Sequence, residues 1–377
     1  MYNSWKEEAW AFIEEKTKLN NERIGSNFPH SAPNKKYQLE NEQWWTAGFW
    51  PGILWRVYLE NKDEKLRKNA ESCEEKMNHL LSDTEAIDHD LGFMWTLSSL
   101  ANYKITQSKQ ARKRALLAAN LLMARFNSKG NYIRAWNAWS GRKDNSGVVI
   151  IDCLMNLPIL YWASEEIGDA RFKQVAEKHV EMVLNHFIRP DGSVQHMVIF
   201  DSSTGEVIEK CGGQGFAENS AWARGCAWAV YGLTLSYKYT KNEEILDAAK
   251  KTAHYFIANV KGEKYPVWDF RVPEDTEAKK YKYPDSSAGA IAACGLLLLS
   301  ECVKDVEKAL YLNAGEGILK NLYFECGTMN NIEEEGLIKH GTGHFPEQKN
   351  LDVPLIYGDY FFVEGISILK GEKLLFW

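Results

Sequence analysis

The chain has no C-x-x-C pair, no H-E-x-x-H, no EF-hand loop, no G-x-S-x-G elbow, no Walker loop and no G-x-G-x-x-G. These absences leave zinc, calcium, serine-nucleophile and nucleotide chemistry without a carrier, so neither a metal nor a cofactor is expected. Blocks of Lys or Arg are missing, and the formal net charge is −6. Phosphate-rich partners need clustered positive charge, which argues against nucleic acid and against an anionic membrane. No apolar run reaches the ~18 residues of a membrane span. The first residues, MYNSWKEEAW, lack the basic-then-apolar order of a signal peptide. A soluble, cytoplasmic protein is the expectation. Seven cysteines (Cys73, Cys153, Cys211, Cys226, Cys294, Cys302 and Cys326) are odd in number and mostly lie in apolar runs. They read as small buried hydrophobes in a reducing compartment.

Strand-like alternation is also scarce, apart from short stretches such as Ser193–Phe200; what fills the chain is helical periodicity of two kinds. One kind is almost free of charge and runs near Thr46–Tyr58, Leu91–Tyr103, Ile150–Ala163, Ser220–Tyr237, Ser286–Ser300 and Gly358–Leu369. A helix apolar all round is buried on all sides, and its Gly and Ala residues allow close approach. The other kind is amphipathic, through Trp5–Leu19, Glu64–Leu81, Lys109–Phe126, Ala170–Phe187, Glu243–Val260 and Val303–Leu322. The two kinds alternate strictly, and no linker interrupts them. Six inner helices ringed by six outer ones is the simplest closed way to bury this pattern. The expected fold is therefore all-α, a single (α/α)6 double toroid (a six-hairpin barrel) over residues 1–377. An α-solenoid would need shorter and more regular repeats.

In such a toroid the entrances to the inner helices open on one face. Trp44-Trp45, His89-Asp90, Asp152, Trp222 with Arg224, Asp285-Ser286-Ser287 and Tyr357-Gly358-Asp359 would meet there. The chain also carries 14 Trp and 17 Tyr, several in polar stretches. Their flat apolar faces and polar edges suit sugar rings as well as cores.

Asp152 is flanked by Ile150-Ile151 and Cys153-Leu154, so its carboxylate is desolvated and can hold a proton near neutral pH. Asp90 offers a second carboxylate, and two facing carboxylates drive their pKa values apart. Helix capping is the competing account of both residues. Arg224 is the only charge in a long helical run and needs an anion, either a ligand or an internal ion-pair partner. Trp228, at i+4, lies on the same face, so a guanidinium beside an indole is geometrically allowed. His340 and His344 look close but lie in a Gly-rich loop without a carboxylate partner. What remains is an aspartate pair working without a cofactor, which suits glycoside chemistry.

Seven stretches in this order resemble the unsaturated glucuronyl hydrolases of glycoside hydrolase family 88. They are Trp45-Thr-Ala-Gly-Phe-Trp-Pro-Gly-Ile-Leu-Trp55, His89-Asp-Leu-Gly-Phe93, Ile150-Ile-Asp-Cys-Leu-Met-Asn-Leu-Pro158, Ser220-Ala-Trp-Ala-Arg-Gly-Cys-Ala-Trp228, Trp268-Asp-Phe270, Asp285-Ser-Ser287 and Tyr357-Gly-Asp-Tyr360. The resemblance implies the (α/α)6 toroid and removal of a 4,5-unsaturated uronic acid from the non-reducing end of lyase-generated, glycosaminoglycan-type oligosaccharides. It makes Asp152 the general acid/base and Asp90 its essential partner. It places Trp45, His89, Trp136, His196, Gln214, Trp222, Arg224 and Trp228 against the substrate. Two departures stand out. Ala47 occupies a position that is often acidic in the family. In the loop Gly341–Leu355, related enzymes recognise sulfate with serines and a lysine, but here Lys349 has no accompanying Ser and Glu347 would repel sulfate. Weak dependence on sulfation is expected. An unsaturated rhamnogalacturonyl hydrolase acting on pectin fragments, and a non-catalytic sugar-binding toroid, are the alternatives. Either a monomer or a homodimer fits the sequence.

Overall fold

A computed structural model describes residues 5–138, 144–260, 265–273 and 282–377. Its helices follow in chain order as α1 (Trp5–Ile24), α2 (Phe49–Asn61), α3 (Glu64–Met77), α4 (Leu91–Trp95), α5 (Ala101–Thr106), α6 (Lys109–Met123), α7 (Pro158–Ile167), α8 (Ala170–His186), α9 (Ala223–Thr240), α10 (Glu243–Val260), α11 (Ser286–Cys302), α12 (Asp305–Asn321) and α13 (Ile356–Leu369). A wide π-type turn over Thr96–Leu100 joins α4 and α5 into one unit. Helices α2, α4–α5, α7, α9, α11 and α13 pack side by side, and α13 closes the ring on α2. Helices α3, α6, α8, α10 and α12 lie against α2, α4, α7, α9 and α11, and α1 lies against α13. This is the (α/α)6 toroid.

The two kinds of helix differ in burial as their sequences demand. Every residue of α11 from Ser286 to Ser300 is buried, whereas α8 buries Phe172, Ala176, His179, Val180, Met182 and Val183 along one stripe. Three outer helices are started by side-chain caps: Asp63, Ser108 and Asp169 accept the N–H groups of Lys65, Ala111 and Arg171.

One expected inner helix divides. Within Ile150–Ala163 the chain first runs as a strand, turns through a 3-10 segment at Ile151–Met155, and becomes helical only from Pro158. Val148-Val149-Ile150-Ile151 is β-branched and favours extended backbone, and Pro158 sits at the first helical turn, where its missing N–H costs nothing. Short strands pair on the rim: β1 (Phe28–Pro29) with β2 (Leu39–Glu40), and β3 (Phe126–Asn127) with β4 (Tyr132–Ile133). The strand β5 (Val148–Ile150) pairs antiparallel with β6 (Met197–Phe200), which pairs with β7 (Val207–Cys211). Among the described residues, no helix is long and apolar enough to cross a membrane. None of the seven cysteines forms a disulfide; five are buried, and Cys211 and Cys302 are half-buried.

Candidate active site

Asp152 lies two residues beyond β5, where the pairing Ile150↔Met197 and the bond from Ile151 N–H to His196 O (3.0 Å) fix the backbone. Its side chain is 14% exposed, and Oδ1 is a buried oxygen with no hydrogen-bond partner in the protein. It is not a helix cap: it lies inside the 3-10 turn Ile151–Met155, whose N-cap position is Ile150 and which has no side-chain cap. Burial, and next the charge of Asp90, push its pKa up to about 7, against smaller opposing effects from Arg224 and Trp228.

Asp90 stands at the start of α4, yet its carboxylate does not cap that helix either. Oδ1 accepts from Asn156 Nδ2 at 3.2 Å, and burial raises its pKa to about 7. Asn156 also caps the neighbouring backbone, accepting Phe93 N–H at 2.7 Å. Gly92 makes that contact possible, because a Cβ there would lie 2.3 Å from Asn156 Cα. Beside Asp90, His89 is fully buried, neither ring nitrogen has a hydrogen-bond partner, and Nε2 is 3.5 Å from Asp90 Oδ1. Burial lowers its pKa to about 4, so the ring is neutral.

His196 precedes β6 and faces Asp152, with Nε2 3.7 Å from Oδ1. Its Nδ1 accepts Gln214 N–H at 2.9 Å, which places the ring proton on Nε2, toward Asp152. The approach depends on Gly213, whose φ is +60° and whose Cβ, if present, would lie 1.8 Å from that nitrogen. Burial, followed by the charge of Arg224, lowers the His196 pKa to about 3. Trp222, just before α9, packs against the same ring at 4.5 Å.

Arg224 resolves in favour of an internal ion pair. One terminal nitrogen donates to Asp285 Oδ2 (2.8 Å) and Thr342 O (2.6 Å), the other to Gln214 Oε1 (2.9 Å) and Gly343 O (2.6 Å). Its aromatic neighbours are Trp222 at 4.6 Å and Tyr357 at 5.2 Å rather than Trp228. The indole of Trp228 instead turns to Phe93 (5.2 Å) and Phe361 (5.4 Å). Its Nε1–H has no hydrogen-bond partner, yet lies near enough to Asp152 to favour the carboxylate form. Trp45 contacts Tyr357 (5.0 Å) and Phe93 (5.8 Å), and Trp136 meets the edge of His89 at 6.4 Å.

All ten residues singled out in the sequence thus belong to one connected cluster. Asp359 departs from the expected rim: its carboxylate accepts Tyr37 O–H (2.5 Å), Leu337 N–H (2.7 Å) and Ile338 N–H (3.0 Å), a buried structural tie. His340 and His344 do have carboxylate partners, contrary to expectation, because the hairpin-like loop brings Asp352 to 2.6 Å and Glu347 to 3.7 Å. Asn156 escaped sequence reasoning, since an amide inside an apolar run gives no sign that it will bridge two segments. Buried polar atoms are almost always paired. The convergence of unpartnered Asp152 Oδ1, His196 Nε2, both His89 nitrogens and Trp228 Nε1 marks a polar ligand site walled by aromatic rings.

The sequence pattern of Glycosyl Hydrolase Family 88 matches residues 18–339. The chain is 36% identical to the unsaturated glucuronyl hydrolase of Bacillus sp. (strain GL1) over 96% of each chain. It is 32% identical to the unsaturated chondroitin disaccharide hydrolase of Streptococcus pyogenes serotype M1, over 96% of this chain and 90% of that one. A solved structure of a UGL variant with dGlcA-Glc-Rha-Glc superposes with a TM-score of 0.92 at 34% identity, covering 98% of this chain and 97% of the other. The chain belongs to glycosyl hydrolase family 88 and is a glycoside hydrolase.

Proposed function

We propose that this family 88 glycoside hydrolase is an unsaturated glucuronyl hydrolase, with Asp152 as its general acid/base. The observation that carries the reading is Asp152 itself: a desolvated carboxyl, raised to about 7, with one oxygen unpartnered and an imidazole N–H beside it. Such a group delivers a proton near neutral pH and takes one back within the same turnover.

The substrate is an oligosaccharide ending in a 4,5-unsaturated uronic acid. Asp152 protonates C4 of the vinyl ether, and positive charge develops at C5 and the ring oxygen. Water adds at C5 and returns its proton to Asp152. The hemiketal so formed opens by breaking the bond between C5 and the ring oxygen, and the exposed hemiacetal at C1 releases the remaining sugar. The reaction is hydration of a double bond, so carboxylate spacing does not dictate retention or inversion. Asp90, held by Asn156, is the member of the pair that carries the charge while Asp152 holds the proton, and it orients water with His89. His196 donates Nε2–H toward the reacting region, the partly exposed Trp45 and Trp136 give the sugar rings flat apolar faces, and the buried Trp222 and Trp228 back the site from behind. Arg224 acts indirectly, holding Gln214 and the 342–343 backbone in place.

None of the seven cysteines is in a disulfide, which suits a reducing compartment and supports action in the cytoplasm on imported fragments. The test is loss of the enol-ether absorbance when unsaturated disaccharides from hyaluronan, chondroitin, heparin, gellan and pectin lyases are added. Absence of turnover on all of them, or turnover surviving Asp152→Asn, would overturn the reading.

A further inference from the structure

Arg125 follows α6 and lies behind the aspartate pair, outside the cluster described above. Its Nε–H donates to Arg134 O (3.0 Å), one terminal nitrogen to Ile87 O (3.3 Å) and Asn137 Oδ1 (3.0 Å), and the other to Ala135 O (2.9 Å). Ile87 leads into Asp88-His89-Asp90, and Arg134, Ala135 and Asn137 surround Trp136. The same two segments are tied again by His89 N–H to Ala135 O (3.0 Å) and Asn137 Nδ2 to Ile87 O (2.8 Å). One guanidinium therefore staples the Asp90 segment to the Trp136 segment.

Its charge is placed differently from that of Arg224. Arg224 is compensated by Asp285 at 2.8 Å, whereas all four acceptors of Arg125 are neutral oxygens. Among charged groups Asp88 acts on Arg125 most strongly, and the field of Arg125 also reaches Asp90. The groups around Asp90 are Asp88 and His89 on its own segment, Asp152 and Cys153 on the facing turn, the neutral donor Asn156, and Arg125. Among the described residues Arg125 is the one fixed cation in that set, and it acts to lower the Asp90 pKa. Asp90 Oδ1 receives a hydrogen bond from Asn156 and Asp152 Oδ1 receives none, although the Asp152 backbone and Trp228 also favour the charged form of Asp152.

We propose that Arg125 is a positioning residue that keeps Asp90 ionised and holds the Asp90 and Trp136 segments in register, so that the shared proton resides on Asp152. The inference rests on the hydration reading above. It gives one arginine two separable effects, a charge effect on the dyad and a geometric effect on the site.

The experiment compares wild type, Arg125→Met, Arg125→Lys and Asp152→Asn on an unsaturated chondroitin disaccharide, following kcat and kcat/KM from about pH 4 to about pH 9. The guanidinium borders a surface cavity of about 500 Å³, so shorter side chains fit without overpacking. In Arg125→Met the acid limb of kcat/KM should rise by at least about half a pH unit, and kcat should fall about tenfold with KM changed less than about threefold. Arg125→Lys should return the limb to its wild-type position without restoring kcat, because an ammonium keeps the charge but cannot reach four acceptors. A purely structural role would lower the active fraction and leave the limb unmoved. A folded Arg125→Met with a wild-type limb overturns the inference. Should Arg125→Met fail to fold, Arg125→Lys decides: a shifted limb, or wild-type kcat, overturns it. Turnover by Asp152→Asn would instead sink the hydration reading, independently of either Arg125 variant.

Discussion

His196 presents Nε2 to Asp152 Oδ1 at 3.7 Å, while its Nδ1 accepts the Gln214 N–H at 2.9 Å. The backbone thus selects the tautomer of a ring that burial keeps neutral. Replacing Gly213 by Ala tests this without touching a functional side chain. The new Cβ would fall 1.8 Å from His196 Nδ1, at a φ of +60° that disfavours any L side chain. Gly213→Ala should lower kcat by roughly tenfold to a hundredfold through a displaced imidazole. His196→Ala should cost at least as much. Wild-type kcat in both variants would remove His196 from the mechanism.

Asp152 and Asp90 titrate as a pair, so the rate should follow two apparent pKa values that belong to both groups. The productive form has Asp152 protonated and Asp90 ionised. Because burial lifts Asp152 to about 7, kcat/KM should decline as pH rises through about 7 and should decline again on the acid side as Asp90 gains a proton. Asp152→Asn should lower kcat by roughly a thousandfold or more with little change in KM. A rate still climbing above pH 8, in steady-state profiles on any accepted disaccharide, would contradict the assignment of Asp152 as acid.

The toroid was legible because its two helix types differ in charge, and charge pattern survives without any knowledge of contacts. Five of the six apolar segments are helical close to their expected bounds; the sixth broke at Pro158, where β-branched residues ahead of the proline favoured a strand. The site was partly legible for a related reason. Asp152 and Arg224 are polar residues where the pattern demands apolar ones, and each such violation requires a partner. Which partner could not be read. Asp285 lies 61 positions from Arg224, and Asn156 lies 66 positions from Asp90, so both contacts depend on how the hairpins close. Arg125 gave no signal at all, being one more cation at the end of an amphipathic helix.

Asp359 carries a raised pKa much like that of Asp152, yet three donors converge on it. Asp359→Ala should destabilise the fold by roughly 2–4 kcal/mol, since two backbone N–H groups and the Tyr37 hydroxyl lose their acceptor in a buried setting. Denaturant melts would register the loss. The activity of the fraction that remains folded should change far less than in Asp152→Asn.

In the loop after α12, Lys349 pairs with Glu347 at 2.6 Å on the surface, and His344 approaches the same carboxylate at 3.7 Å. A substrate sulfate would have to displace Glu347 to reach the lysine. Sulfated and unsulfated disaccharides of one linkage should therefore differ in kcat/KM by no more than about threefold, the scale of a solvent-exposed ion pair. Glu347→Gln should shift the ratio toward the sulfated substrate. A strong wild-type preference for sulfate would refute the expectation.

The last prediction sets function against stability. Asp152 is a carboxyl whose folded pKa, about 7, exceeds its ordinary value of 3.8. Between those values the native state binds more protons than the unfolded chain, so this group makes stability fall as pH rises. Below pH 4 both states are protonated and the penalty is absent; above pH 7 it is present in full. Replacing the carboxyl by an amide removes the titration without removing a donor that Oδ1 uses, because it has none. Asp152→Asn should therefore equal wild type in stability near pH 4 and exceed it near pH 8. Each pKa unit corresponds to about 1.4 kcal/mol, and solvent reaching the partly exposed side chain reduces the total to roughly 1–3 kcal/mol. Chemical denaturation of both proteins at the two pH values measures the difference. An Asn variant less stable than wild type at pH 8 would mean that the carboxylate is held by partners in solution, and would undercut its role as a proton donor.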